Sequence, residues 1–150
     1  MTAPTVNRTV WCIGLYASAS TWAFNVVRLL HAAAKPPIPI KTYFFSGKAD
    51  FASFAAPVTD IVKSHEIDDG DTEAELARRA DRILITRRDP RDAVASLMRY
   101  HHHAFDRALE HVDKAQLLCA GFAGNPRVKI YDYESRFFED PATPDALAAH

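Results

Sequence analysis

Thr9-Val10-Trp11-Cys12-Ile13-Gly14-Leu15-Tyr16-Ala17-Ser18-Ala19-Ser20-Thr21-Trp22 is the stretch that decides how the rest of the chain is read. Its first five residues are apolar or β-branched and read as a buried strand that ends at Gly14. Small and hydroxylated residues then lead into a helix expected over residues 21–34. Ser20 is its expected N-cap, and Trp22, Val26, Leu29, Leu30 and Ala33 its inward face. A strand, a small-residue turn and a helix start in this order let backbone N–H groups converge beside the positive end of the helix dipole, which suits a phosphate or a sulfate. Compared with a Walker A loop, GxxxxGK[ST], the segment keeps Gly14 and Thr21. Ala19 stands for the second Gly and Ser20 for the Lys, so an ordinary ATPase loop is excluded. Taken alone, the segment is better read as a plain strand-to-helix turn with a hydroxyl cap.

Outward from this unit the chain alternates short apolar runs with amphipathic stretches. Strands are expected over residues 38–45, 58–63, 83–86 and 128–131, with Thr59 and Asp60 counting against the second of these. Residues 51–56 read as a short helix, and 66–71 as a solvated acidic loop. Helices follow over 72–80, from Asp89-Pro90 with Ala93, Val94, Leu97 and Met98 inward, over 105–120 to a stop at Gly121, and over 141–150. The pattern predicts an α/β fold: a P-loop-like parallel sheet flanked by helices, one three-layer domain spanning residues 1–150, with functional groups at the carboxyl ends of the strands.

A chain of 150 residues with 48% hydrophobic and 25% charged residues is ordinary for a globular protein, which excludes collagenous, disordered and disulfide-stapled classes. Cys12 and Cys119 have no partner at metal-ligand spacing and read as core residues in a reducing, cytoplasmic setting. No apolar stretch reaches membrane-spanning length, and the first residues do not read as a secretion signal. The net charge of −1 hides an asymmetry: residues 1–49 hold five basic and no acidic residues, and the remaining 13 basic and 19 acidic residues give −6. An acid-free first third suits an anion, but by itself it favours no function. The basic residues are scattered, so nucleic-acid binding is not supported.

Two further segments carry chemistry. Arg88-Asp89-Pro90-Arg91-Asp92-Ala93-Val94-Ala95-Ser96 sets a guanidinium beside a well-capped helix start, and Ser96 lies close to two turns after Asp89 on the same face. An Arg and a hydroxyl so arranged hold one phosphate between them; the plainer reading is a surface helix whose Arg residues pair with Asp89 and Asp92. Lys63-Ser64-His65 ends the third strand with a candidate general base and a cation beside it, although a lone His is more often structural. His101, His102, His103 and His111 suggest a metal, but adjacent helical residues diverge and no carboxylate or Cys pattern accompanies them, so no metal site is expected.

In their order, these segments resemble the sulfotransferases that use 3′-phosphoadenosine 5′-phosphosulfate (PAPS). Tyr16-Ala17-Ser18-Ala19-Ser20-Thr21-Trp22 is similar to the family's first loop, PKSGTTW or RSGSTW. Residues 88–96 match its RDPRDxxxS motif almost residue for residue, which is the most specific part of the likeness. Lys63-Ser64-His65 resembles its KTH, and Tyr133-Glu134-Ser135 its YED. The resemblance implies that Tyr16, Ala17, Ser18, Ala19, Ser20, Thr21 and Trp22 surround the phosphosulfate end of PAPS and that Arg88 and Ser96 hold its 3′-phosphate. It further implies that His65 takes the proton of a hydroxyl or amine acceptor, a small molecule or a glycan, and that Lys63 neutralises charge on the transferring group.

The chain departs from the family in two respects. The loop cation is replaced by Ala17, and the loss of one such transition-state donor costs roughly 2.7–4 kcal/mol in barrier; Lys63, Arg87 or a Lys from elsewhere are the candidates to replace it. Ala19 adds a methyl where backbone and ligand approach closely. Family members are also longer, the extra chain supplying acceptor-binding helices and a basic loop, so the expectation is an open cofactor site or one completed in a homo-oligomer. Two functions therefore stand: sulfuryl transfer from PAPS, or a non-catalytic nucleotide- or anion-binding module that kept the 3′-phosphate site. A P-loop kinase is disfavoured by the missing loop Lys.

Overall fold

Along β1 (Arg8–Gly14), Trp11 and Ile13 join one apolar cluster while Val10 and Cys12 join another, the alternation of a strand buried on both faces. The computed structural model describes residues 7–37, 39–54 and 57–150. After β1 come α1 (Ser20–Ala33), β2 (Ile40–Phe44), β3 (Thr59–Ser64), α2 (Gly70–Arg79), β4 (Arg82–Arg87), α3 (Pro90–His101), α4 (Phe105–Ala120) and β5 (Val128–Asp132). Two short 3-10 turns, Tyr133–Ser135 and Phe137–Glu139, lead to α5 (Thr143–Ala149). All four strand pairings are parallel, in the order β2-β3-β1-β4-β5. The α/β sheet flanked by helices is the fold expected, in three layers. Leu76 of α2 and Leu118 of α4 pack with Trp11, Val62 and Ile85 on one face. Ala23 and Val27 of α1 pack with Cys12, Ile61 and Leu84 on the other, together with Phe137. A third cluster, with Leu15, Ala93, Leu97 and Val112, joins α3 to α4.

From β1 the chain crosses to β2 and β3 on one side, and from β3 it crosses over to β4 on the other. The loops after β1 and β4 therefore diverge, leaving a crevice at the carboxyl ends of these neighbouring strands. Helix starts anchor the connections. Asp69 accepts from Thr72 N (2.8 Å) at the start of α2, and Asp89 accepts from Arg91 N (2.9 Å) ahead of Pro90 at the start of α3. Cys12 and Cys119 are free and buried, and burial pushes the Cys12 thiol up to about 12, so it packs as an inert apolar group.

Several local expectations are corrected. Ser20 is the first residue of α1 and not its cap; the cap position is Ala19, in left-handed conformation (φ 61°). The buried stripe is accordingly Ser20, Ala23 and Val27, whose small side chains let α1 lie close to the sheet, while Leu29 is 69% exposed. Met98 is 40% exposed because α3 meets α4 through Ala93, Val94 and Leu97. Residues 51–54 form a turn, not a helix: Asp50 accepts from Ala52 N, and Phe51 and Phe54 turn onto Tyr43 and Phe45. Ala55 and Ala56, the end of that expected helix, and Ile38, the start of the expected second strand, lie outside the described residues. Thr59 and Asp60 sit inside β3, fully buried, and the expected solvated loop buries Glu66 to 8% exposure. α2 begins earlier than expected, at Gly70, because Asp69 caps it, and the last helix begins at Thr143 after the 3-10 turns.

Candidate functional site

The connection from β1 to α1 is held in shape by its own side chains. A Cβ on Gly14 would stand 2.2 Å from Ser20 Cβ and 2.8 Å from Thr86 Oγ1, so only glycine lets the start of α1 approach β4 this closely. Ser18 is fully buried. Its hydroxyl donates to Leu15 O (2.5 Å), lies 2.7 Å from Thr86 Oγ1, and its N–H bonds to Leu15 O (3.2 Å). Its polar groups thus shape the loop and do not face the crevice. Trp22 likewise turns away, edge-on to Phe137 at 5.7 Å. Ala17 and Ala19 both have positive φ, 57° and 61°, a conformation that alanine adopts at a cost and that turns the loop backbone back on itself. No side chain caps α1, so the N–H groups of its first turn stay open, unlike those of α2 and α3.

A cavity of about 500 Å³ opens on this turn, lined among others by Ala17, Ser20, Thr21, Lys63, His65 and Ser96. Lys63 leaves the end of β3 and donates to Thr21 Oγ1 (2.6 Å), which brings its ammonium to the first turn of α1. Burial lowers its pKa, against an opposing effect of Cys12. Arg87, the other candidate to replace the loop cation, pairs instead with Asp132 (2.9 Å). His65 Nδ1 lies 2.5 Å from Gly14 O. Because a carbonyl only accepts, Nδ1 carries the proton and Nε2 is left with a lone pair. Burial pushes the His65 pKa down to about 4; the Gly14 contact opposes this, and Lys63 and His101 add to it.

Arg88 stands at the end of β4. Its Nη1 donates to Ala17 O (3.1 Å) and Ser96 Oγ (3.4 Å), and its guanidinium lies over the Tyr133 ring at 4.4 Å. Its Nε is buried with no hydrogen-bond partner among the described residues. Glu134, next to Tyr133, accepts from Asp89 N (2.8 Å) and ties the turn after β5 to the start of α3. The three sequence segments, far apart along the chain, therefore meet at the ends of β1, β3 and β4.

Glu66, expected in a solvated loop, and His111, weighed only as a metal ligand, are instead paired with each other. Tyr16 OH donates to Glu66 Oε1 (3.2 Å), and His111 Nδ1 lies 2.7 Å from the same oxygen, bridging the loop to α4. The only local signal is that Glu66 follows His65 directly; nothing in the sequence pairs it with residue 111. Among the described residues no group of three or more His, Cys, Asp or Glu is disposed to hold a metal ion. A second groove, about 640 Å³, lies at the opposite ends of β1 and β4, between α1 and α5, and contains none of the three segments. No described helix is long and apolar enough to cross a membrane. Comparison of the chain with protein-family models and with curated proteins finds no match.

Proposed function

We propose that the chain transfers a sulfuryl group from PAPS to a hydroxyl or amine acceptor. The observation that carries this reading is the meeting of Lys63, His65, the open start of α1 and Ser96 around one cavity, with Arg88 bonded from behind to Ala17 and Ser96 of its wall. The residues fit a ligand with two separate anionic groups. Open N–H groups and Lys63 suit one of them, and the guanidinium of Arg88 with the Ser96 hydroxyl beside it suits the other. When bound, PAPS supplies a sulfuryl group activated by a phosphate leaving group. His65, with its Nε2 lone pair, takes the proton from the acceptor. Lys63 balances negative charge at the reacting end, where the loop itself offers no cation. The low pKa of His65 keeps it neutral, and thus able to accept, throughout the neutral range.

One observation favours the second reading, a module that binds a nucleotide or anion without turnover: Ala17 leaves the loop without a charged side chain. Calorimetric titration with 3′,5′-adenosine bisphosphate, AMP and ATP tests what both readings share. The bisphosphate is expected to bind tightest, and Arg88→Ala to weaken it by about tenfold or more, as loss of a charged hydrogen-bonding group does. Equal or absent binding of all three refutes both readings. Labelled sulfuryl transfer onto a panel of phenols, amines and glycans then separates them: turnover that rises in Ala17→Lys supports the enzyme, and inactivity of both proteins supports the binding module.

A further inference from the structure

We propose that Tyr16 is a positioning residue for His65, pinned by Glu66 and through it by His111, so that α4 helps orient the proton acceptor. The role of His65 as acceptor rests on the function proposed above; the geometry of the clamp does not. The Tyr16 ring stacks on the His65 ring with centroids 4.4 Å apart and planes 18° apart. Behind it, the phenol and His111 Nδ1 converge on one oxygen of a carboxylate only 8% exposed. The other oxygen, Oε2, is buried without a partner among the described residues, so Oε1 carries all of the carboxylate's hydrogen bonding. A carboxylate this far from water holds its donors firmly, because losing one would leave an uncompensated buried charge. Burial and the Glu66 charge both push the Tyr16 pKa up, which keeps its hydroxyl protonated and donating.

This matters for His65 because its useful form is the less common one. The bond to Gly14 O needs the proton on Nδ1, whereas imidazole in water prefers it on Nε2. If the ring turned about its Cβ–Cγ bond, the Gly14 contact would break and the proton would move to the atom meant to accept one. Tyr16 covers one face of the ring, and Phe44 approaches it edge-on at 6.0 Å. His65 and Glu66 are neighbours in sequence, so one short backbone segment carries both the oriented ring and the anchor of the plate behind it. His111 ties that anchor to α4, whose Ala108, Val112 and Ala115 are fully buried.

Side-chain nitrogen NMR of the full chain, with no ligand added, tests the clamp. Wild-type His65 is expected to show one tautomer, protonated at Nδ1, and to titrate near pH 4. Tyr16→Phe, which keeps the ring and loses its anchor, and His111→Leu are each expected to give a mixture of tautomers. Tyr16→Leu, which removes the plate, is expected to move the proton mainly to Nε2 and raise the titration midpoint by a unit or more. A wild-type His65 protonated at Nε2 overturns the proposal, as does an unchanged tautomer in Tyr16→Phe and Tyr16→Leu. A change in the Tyr16 variants without one in His111→Leu overturns the part given to α4. If Tyr16→Leu does not fold, Tyr16→Phe decides the question. Failure of the wild-type protein to bind the bisphosphate counts against the proposed function and leaves the tautomer result standing.

Discussion

Replacing His65 by Gln is expected to remove a large part of the protein's acid sensitivity. In the folded chain, burial lowers the His65 pKa to about 4 from an ordinary 6.5. A depressed histidine pKa means that the fold accepts only the neutral ring. The associated stability is fully present above pH 6.5 and is lost as pH falls from there toward 4, because the unfolded chain takes up the proton first. At pH 4.5 the unfolded imidazole is almost fully protonated and the folded one mostly is not. The difference between the two states is on the order of 2–3 kcal/mol, against almost nothing at pH 7.5. Urea denaturation of wild type and His65→Gln at both pH values isolates this quantity. The other groups with shifted pKa values, among them His103, His150, Glu75 and Asp89, are common to both proteins and cancel in the comparison. The wild type should lose roughly 2–3 kcal/mol more than the variant between pH 7.5 and 4.5. If both lose the same amount, within about 0.5 kcal/mol, His65 is not held neutral by burial and the account of its proton is wrong.

Two other substitutions probe the frame of the site. Gly14→Ala sets a methyl 2.2 Å from Ser20 Cβ, between a strand and a helix start that cannot easily separate, and is expected to cost about 3 kcal/mol or more in urea denaturation; a cost under about 1 kcal/mol would show that α1 can move off β4. Asp60 is fully buried, neither oxygen meets good hydrogen-bond geometry among the described residues, and burial raises its pKa although the nearby polar groups of Asn7 and Tyr43, and then Lys41 and Arg79, pull the other way. Its charge therefore costs stability above its folded pKa, a cost that disappears as pH falls below the unfolded value of 3.8. Asp60→Asn is expected to stabilise the chain at pH 7 by on the order of 1 kcal/mol and to have little effect near pH 3, as read from thermal melts.

Much of the fold and part of the site can be read from the chain itself. Strand β1 and the turn after it follow from an apolar run ended by Gly14, and the start of α3 from Asp89-Pro90, because caps and periodicity are local properties that a few adjacent residues settle. Apolar strands alternating with amphipathic helices imply a parallel sheet covered on both faces, and the two cysteines read as core. The same locality explains the errors. The buried stripe of α1 depends on which small residues can approach the sheet, so Leu29 reads as inward by periodicity and is exposed in the fold. Ser18, which the resemblance sets around the phosphosulfate, has its hydroxyl engaged by Leu15 and Thr86, the latter 68 residues away, and no local pattern announces that partner.

The sequence by itself determined the order of the elements and the residue types available at three strand ends. Only the tertiary structure decided that those ends meet around one cavity, that Lys63 and not Arg87 stands at the open start of α1, and that Glu66 binds Tyr16 to His111. The physical reason is that these are pairings across the sheet and between layers. Strand order and register fix them, and residues 14, 66, 86 and 111 carry no local mark of the neighbours they acquire.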